Sequence, residues 1–333
     1  TAVASATADA KELNAPALSS ASVPVGVAAL NCRAPYPLRT KNDELTEKLQ
    51  ERLIEAGFGS ALESNDLAVA VVDLSGEEPV YAGLNDTTMM YAASLPKITI
   101  VLAAVQAIKD KKLKWTEELR SRLSNAINKS SNRDATWGAH LVGSRYIEKV
   151  LRQPGHCLYG NQTGGLWLGR AYSRKSPSRR DPVAKVNHGA TARQTARFYT
   201  LLSKGLLVDR EGSERILSLM SSPFVGRKFV GGLRTRDGVT FLARKSGSWW
   251  HYHSDSALIQ RGDVRYAVVA LSRKVKNKDH RLYQIAREVD TLMVRRHRAL
   301  KRKPGKVATL SAKTRSASLH AQLADSPLLT STR

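Results

Sequence analysis

The segment Ile98-Thr99-Ile100-Val101-Leu102-Ala103-Ala104-Val105-Gln106-Ala107-Ile108 constrains this chain more than any other. It has almost no polar side, so as a helix it must be enclosed on nearly every face by other elements. That demands a body able to bury a central helix, and 333 residues supply one. The run is entered through Ser94-Leu95-Pro96-Lys97. Pro96 fits only the first helical turn, where a missing N–H costs nothing, which places Ser94 at or just before the helix start. There the positive end of the helix dipole favours a developing alkoxide. Lys97, three positions on, shares the same face and can approach the Ser94 hydroxyl. A lysine desolvated among apolar neighbours loses proton affinity and can become a base at neutral pH. On its own such spacing is more often a capping serine followed by a first-turn lysine, and the catalytic reading needs partners elsewhere in the chain.

The chain around that helix alternates recognisable elements. Residues 1–41 carry many Ala, Ser and Pro without periodicity, which predicts a flexible segment. Asn42 or Asp43 is a good N-cap, and Leu45, Leu49 and Leu53 recur at helical spacing up to the stop signal Gly57. Leu67 to Leu74 reads as a buried strand, turned by Ser75-Gly76-Glu77-Glu78 into a second strand from Pro79 to Ala82. From Thr116 to Gln153 the pattern is helical, interrupted at Lys129-Ser130-Ser131-Asn132-Arg133, and Gly155 to His188 is a long, Gly-containing basic loop. Helices are predicted at Thr191 to Leu202 and Ser213 to Met220, then strands at Val239 to Lys245, Ser254 to Gln260 and Val264 to Leu271. A last helix carries Leu282, Ile285, Val289 and Leu292 on one face. Strands near both chain ends with helices between them predict an α/β fold: an antiparallel sheet flanked by helices in α/β/α layers, with an inserted all-helical lobe. The expected division is a catalytic domain at 42–297, its sheet lobe from 42–93 and 221–297 and its helical lobe from 94–220, then a basic, disordered tail at 298–333.

The formal net charge is +24, and it is unevenly placed. Arg295, Arg296, Arg298, Lys301, Arg302, Lys303 and Lys306 crowd the C-terminal end; Arg170, Arg174, Lys175, Arg179 and Arg180 crowd the basic loop. Such a field suits an anionic cell-envelope polymer as a partner, or serves simply as a solubilising surface. No zinc-finger spacing, aromatic-basic interleaving or phosphate-cradling glycine motif points to a dedicated nucleic-acid reader. No apolar segment approaches about 20 residues, so no membrane span is expected. The small-residue opening Thr1 to Ala8 resembles the N-terminus left when a secretory signal is removed, so a periplasmic or secreted protein is expected. The two cysteines, Cys32 and Cys157, read either as a disulfide pair or as two solitary thiols.

Three distant pieces complete the constellation: Ser94-Leu95-Pro96-Lys97 opening a helix, Ser130-Ser131-Asn132 in a break between helices, and Lys245-Ser246-Gly247 ending a strand. In this order and context the chain resembles the class A β-lactamases and the wider penicillin-recognising serine hydrolases from about Asn42 to His297. The helix-opening Gly189-Ala190-Thr191-Ala192-Arg193-Gln194-Thr195 is a further echo. Ser131 stands where the family has Asp, and Ser246 where it has Thr; both keep a hydrogen-bonding side chain. The resemblance implies catalytic roles for Ser94 as nucleophile, Lys97 as base and Ser130 as proton shuttle to the leaving nitrogen. It implies substrate binding by Asn132, Lys245, Ser246, Gly247 and Ser248, with the backbone N–H groups of Ser94 and Ser248 stabilising the oxyanion. The substrate would be a small molecule or peptide bearing a carboxylate, and no metal or cofactor is expected.

One part of the family pattern is missing. Class A enzymes place in the long loop a Glu that activates the deacylating water. Here residues 149–208 hold Asp181, inside Arg179-Arg180-Asp181-Pro182, and no Glu. The flanking arginines suggest an ion-paired Asp181; His156 and His188 are the other candidates for a deacylation base, each more often an ordinary loop histidine. The expectation is a serine hydrolase that attacks a β-lactam or related amide or ester carbonyl and deacylates slowly. The alternatives are a penicillin-binding protein or esterase directed at D-alanyl peptides, and a non-hydrolytic cell-envelope binding protein. His251-Tyr252-His253 would put two histidines on one strand face without a third metal ligand, and Trp249 and Trp250 either wall the cleft or pack.

Overall fold

The computed structural model describes residues 35–222, 226–274 and 278–302. The expectations for residues 1–34 and for the tail from 303 onward lie outside the described residues, as does Cys32. Cys157 is buried and disulfide-bonded.

The first helix, α1 (Asp43–Leu53), starts where Asn42 accepts a hydrogen bond from the Leu45 N–H and buries Leu45, Leu49 and Leu53. A π-helical turn follows, kinked at Gly57 (φ 79°), before α2 (Gly59–Glu63). Then come β1 (Leu67–Asp73), β2 (Val80–Leu84) and β3 (Met90–Tyr91). The apolar run forms α3 (Lys97–Lys109), buried from Lys97 to Ala107. The helical lobe continues through α4 (Glu117–Asn128), α5 (Asn132–Val142) and α6 (Ser144–Arg152). The long loop is not featureless: it holds β4 (Tyr159–Gly160), β5 (Gly164–Gly165) and β6 (Trp167–Leu168) before β7 (His188–Ala190). The described residues continue with α7 (Ala192–Ser203), α8 (Arg210–Met220), α9 (Phe229–Leu233), β8 (Val239–Trp249), β9 (Tyr252–Arg261), β10 (Val264–Ser272) and α10 (Lys278–Arg302).

A five-stranded antiparallel sheet in the order β2-β1-β10-β9-β8 unites the two chain halves. Alternation along β1 explains its unbroken apolar sequence: Ala68, Ala70 and Val72 join the core that contains α3, while Leu67, Val69 and Val71 join a second core with α1, α9 and α10. The predicted α/β/α layering is therefore present. Helix α3 touches α4, α5, α6 and α8, the enclosure its sequence demands. No helix among the described residues is long and apolar enough to cross a membrane.

Several boundaries differ from expectation. Lys245-Ser246-Gly247 lies inside β8, not at its end, because pairing continues through Gly247↔Ser254 and Trp249↔Tyr252. His251 falls in the tight turn and only His253 in β9, so the two histidines do not share a strand face. Helix α8 begins at Arg210 because Asp209 caps it by accepting from the Gly212 N–H; Ser213 instead bonds back to Leu207. The short α9 carries no sequence signal of its own.

Candidate active site

The site forms where α3, the α4–α5 break and β8 meet. Ala93 adopts a left-handed conformation (φ 52°) and the Leu95 N–H bonds back to the Ala92 carbonyl at 3.1 Å. This turn sets the half-buried Ser94 just ahead of α3. Lys97 Nζ donates to the Ser130 carbonyl at 2.7 Å and to Asn132 Oδ1 at 2.7 Å, with Ser130 Oγ at 3.5 Å; Ser94 Oγ is not among these partners. Ser130 is also left-handed (φ 56°), which turns its carbonyl and hydroxyl toward the lysines. Lys245 Nζ donates to Ser130 Oγ at 3.0 Å and to the Ser246 carbonyl at 2.7 Å. The Ser130 hydroxyl thus stands between two buried lysines. Ser131 caps α5 by accepting from the Asp134 N–H at 3.2 Å, a task the Asp it replaces could also perform.

Strand β8 forms one edge of the five-stranded sheet. A Cβ on Gly247 would stand 2.7 Å from the Ser94 backbone nitrogen and 2.7 Å from Ser254 Oγ, and would collide with the Ala92 carbonyl. Glycine is therefore what lets this strand pass against the Ser94 turn. The Ser254 hydroxyl ties the two pieces together by donating to the Ala92 carbonyl at 2.9 Å. Ser246 is half-buried and Ser248 is exposed along the same edge.

Burial pushes Lys97 down to about 7 from an ordinary lysine value. It pushes Lys245 well down too, with the neighbouring Lys97 and Arg244 charges adding to the effect. Behind them Arg244 and Asp255 form a buried pair at 2.8 Å. Among the described residues no carboxylate hydrogen-bonds to Lys97 or Lys245, and the Asp255 charge behind Lys245 only partly offsets the depression of that amine.

Of the three loop candidates, Asp181 is placed otherwise than the sequence suggested. Asp181 is buried and not ion-paired with its flanking arginines. It accepts from the N–H groups of Val183, Ala184 and Val186 and from the Tyr159 hydroxyl, while Arg179 pairs with Glu148. It clasps the loop and has no part in the Ser94 cluster. His156 donates from Nδ1 to the Val150 carbonyl at 2.9 Å and accepts at Nε2 from the Val208 N–H, so its ring is spent on backbone. His188 comes nearer: burial and the Lys97 charge push it down to about 4, and it donates from Nε2 to the Arg170 carbonyl at 2.8 Å.

Sequence reasoning missed Tyr172. Its half-buried ring lies over Lys97, 4.5 Å from Nζ to centroid, and stacks on His188 at 4.4 Å and 4°. A tyrosine within a basic loop carries no motif that would flag it. Trp249 and Trp250 do not pack: they are 57% and 69% exposed, with parallel rings 6.3 Å apart at the hairpin tip.

The family model of the beta-lactamase enzyme family matches residues 44–152 and 161–292. This chain belongs to that family. Solved structures share its fold at low identity. A beta-lactamase from Sphaerobacter thermophilus is 16% identical with a TM-score of 0.55, covering 70% of this chain and 95% of its own. The class A beta-lactamase of the last common ancestor of Gram-negative bacteria is 17% identical with a TM-score of 0.56, covering 73% and 98%. A mutant of PBP-A, solved as an acyl-enzyme complex with penicillin G, is 14% identical with a TM-score of 0.56, covering 76% and 97%. Among curated proteins none matches the sequence.

Proposed function

We propose that this chain is a serine hydrolase that attacks a β-lactam, or a related amide or ester carbonyl beside a carboxylate, through an acyl-enzyme on Ser94. The observation that carries this reading is the Ser130 hydroxyl held between Lys97 and Lys245 beside the Ser94 turn. Ser94 Oγ bonds to the carbonyl carbon as its proton passes to neutral Lys97 Nζ. Ser130 Oγ hands its proton to the departing nitrogen as the C–N bond breaks and is reprotonated from Lys97. Lys245, Ser246 and Asn132 hold the substrate carboxylate and amide, and the N–H groups of Ser94 and Ser248 hold the oxyanion.

Release of the acyl group is slow in this reading, because Asp181 and His156 are committed to backbone partners and His188 is held by the Arg170 carbonyl and stacked on Tyr172. That no carboxylate among the described residues hydrogen-bonds to Lys97 or Lys245 also suits penicillin-binding activity on D-alanyl peptides, which differs from the first reading in its substrate and not in its first step. Export to the periplasm or medium, and attraction of anionic envelope polymer by the exposed Arg174, Lys175, Arg179 and Arg180, belong to the same proposal. With a chromogenic cephalosporin, the expected result is a burst near one equivalent followed by a much slower steady state. A steady-state rate as high as the burst would contradict it.

A further inference from the structure

We propose that Tyr172 protects an acyl group on Ser94 from hydrolysis, its ring covering the face of Lys97 from which a water molecule would otherwise be activated. This rests on the acyl-enzyme reading above and names the residue that decides the fate of that intermediate.

The ring is held from three directions. Its face lies 4.5 Å from Lys97 Nζ. The His188 ring stacks on it, parallel to within 4° at 4.4 Å. Its hydroxyl donates to the carbonyl of Ala93, the residue before Ser94, at 3.2 Å. His188 is itself pinned, donating from Nε2 to the Arg170 carbonyl at 2.8 Å and facing the Tyr91 hydroxyl with Nδ1 at 3.4 Å. The ring is therefore a fixed wall and not a mobile side chain. Lys97 has its polar directions taken up by the Ser130 carbonyl and Asn132 Oδ1, each at 2.7 Å. What remains of its surroundings on the loop side is aromatic carbon, which offers a water molecule no hydrogen-bond partner.

Hydrolysis requires water oxygen to bond to the acyl carbon while one of its protons passes to Lys97 Nζ. The C–Oγ bond then breaks and that proton returns to Ser94 Oγ. In this proposal Lys97 is the base, and the Tyr172 ring, 4.5 Å from its Nζ to centroid and tied through its hydroxyl to the Ala93 carbonyl, closes the loop side from which a water would reach it. The phenol is no substitute, since burial and nearby Tyr91 hold its hydroxyl well above the usual tyrosine range and hence protonated. Removing the ring while leaving Lys97 admits water next to an available amine.

The test tracks decay of the adduct after full-length protein has been labelled with benzylpenicillin and the free ligand removed, so that the rate of labelling does not enter. Intact mass is read against time for wild type, Tyr172→Phe, Tyr172→Ala and Tyr172→Gln, with thermal unfolding checking each variant. Tyr172→Phe keeps the wall and is expected to hold its adduct as long as wild type. Tyr172→Ala is expected to lose it at least about tenfold faster, a modest share of the roughly hundred- to ten-thousandfold that a positioned base supplies. Tyr172→Gln, which keeps bulk but welcomes water, is expected to behave as Tyr172→Ala does and serves in its place if that variant fails to fold. Decay unchanged in both Ala and Gln variants, or as fast in Tyr172→Phe as in them, overturns the inference while leaving the acyl-enzyme intact. Absence of any adduct on wild type overturns the reading on which it rests, and the inference with it.

Discussion

At the scale of single residues, the proposed chemistry turns on whether Lys97 is neutral. Its value near 7 results from burial, so acylation is expected to rise with pH through about 7 and level off above it, where the amine can accept the Ser94 proton. A pH profile of the acylation rate checks this; a rate that falls over the same range would contradict it. Lys97→Ala is expected to slow acylation by roughly a hundred- to ten-thousandfold, read by stopped-flow labelling. Five polar residues of this cluster, Ser94, Lys97, Ser130, Asn132 and Lys245, are legible in the sequence because their types and order form a pattern. Tyr172 is not, since its position over Lys97 depends on how the loop folds back. Asp181 departs from expectation for a related reason. Flanking arginines are visible in sequence, but the three backbone N–H groups that claim its oxygens exist only once the loop has turned.

Among the elements, α3 and β8 carry the account. Leu102 is fully buried in α3, and Leu102→Ala is expected to destabilise the fold by about 2–5 kcal/mol, measured by denaturant unfolding. In β8, Gly247→Ala must push against the Ser94 nitrogen and the Ala92 carbonyl. It is expected to cost about 1–3 kcal/mol as an overpacked contact and to depress acylation more than a surface substitution does. Wild-type stability and labelling in that variant would contradict the close approach of β8 to the Ser94 turn. Helix α1, strands β1, β9 and β10 and the enclosure of α3 are readable because burial leaves periodicity. The extent of β8 is not: Ser246, Gly247 and Ser248 look like a strand ending, and only pairing to Ser254 and His253 extends it. Helix α9 and the short loop strands are too brief to leave a pattern.

For the molecule as a whole, the two chain halves meet in one sheet, and that sheet brings Lys245 from the C-terminal half to Ser130 and Lys97 from the helical lobe. The +24 charge makes long-range attraction to polyanions an expected property of the surface, separate from the chemistry of the cleft. Retention on an anionic polymer should fall steeply as salt is raised, and salt-independent retention would count against it. The family places the chain among beta-lactamase-like proteins. The central claim is narrower, that Ser94 carries a covalent acyl group. Intact-mass measurement after incubation with benzylpenicillin tests it most directly. The account predicts a mass gain equal to one whole ligand in the wild type, mapped to the peptide containing Ser94 and absent from Ser94→Ala. A wild type that gains no mass, or a Ser94→Ala variant that gains the same mass, would contradict it.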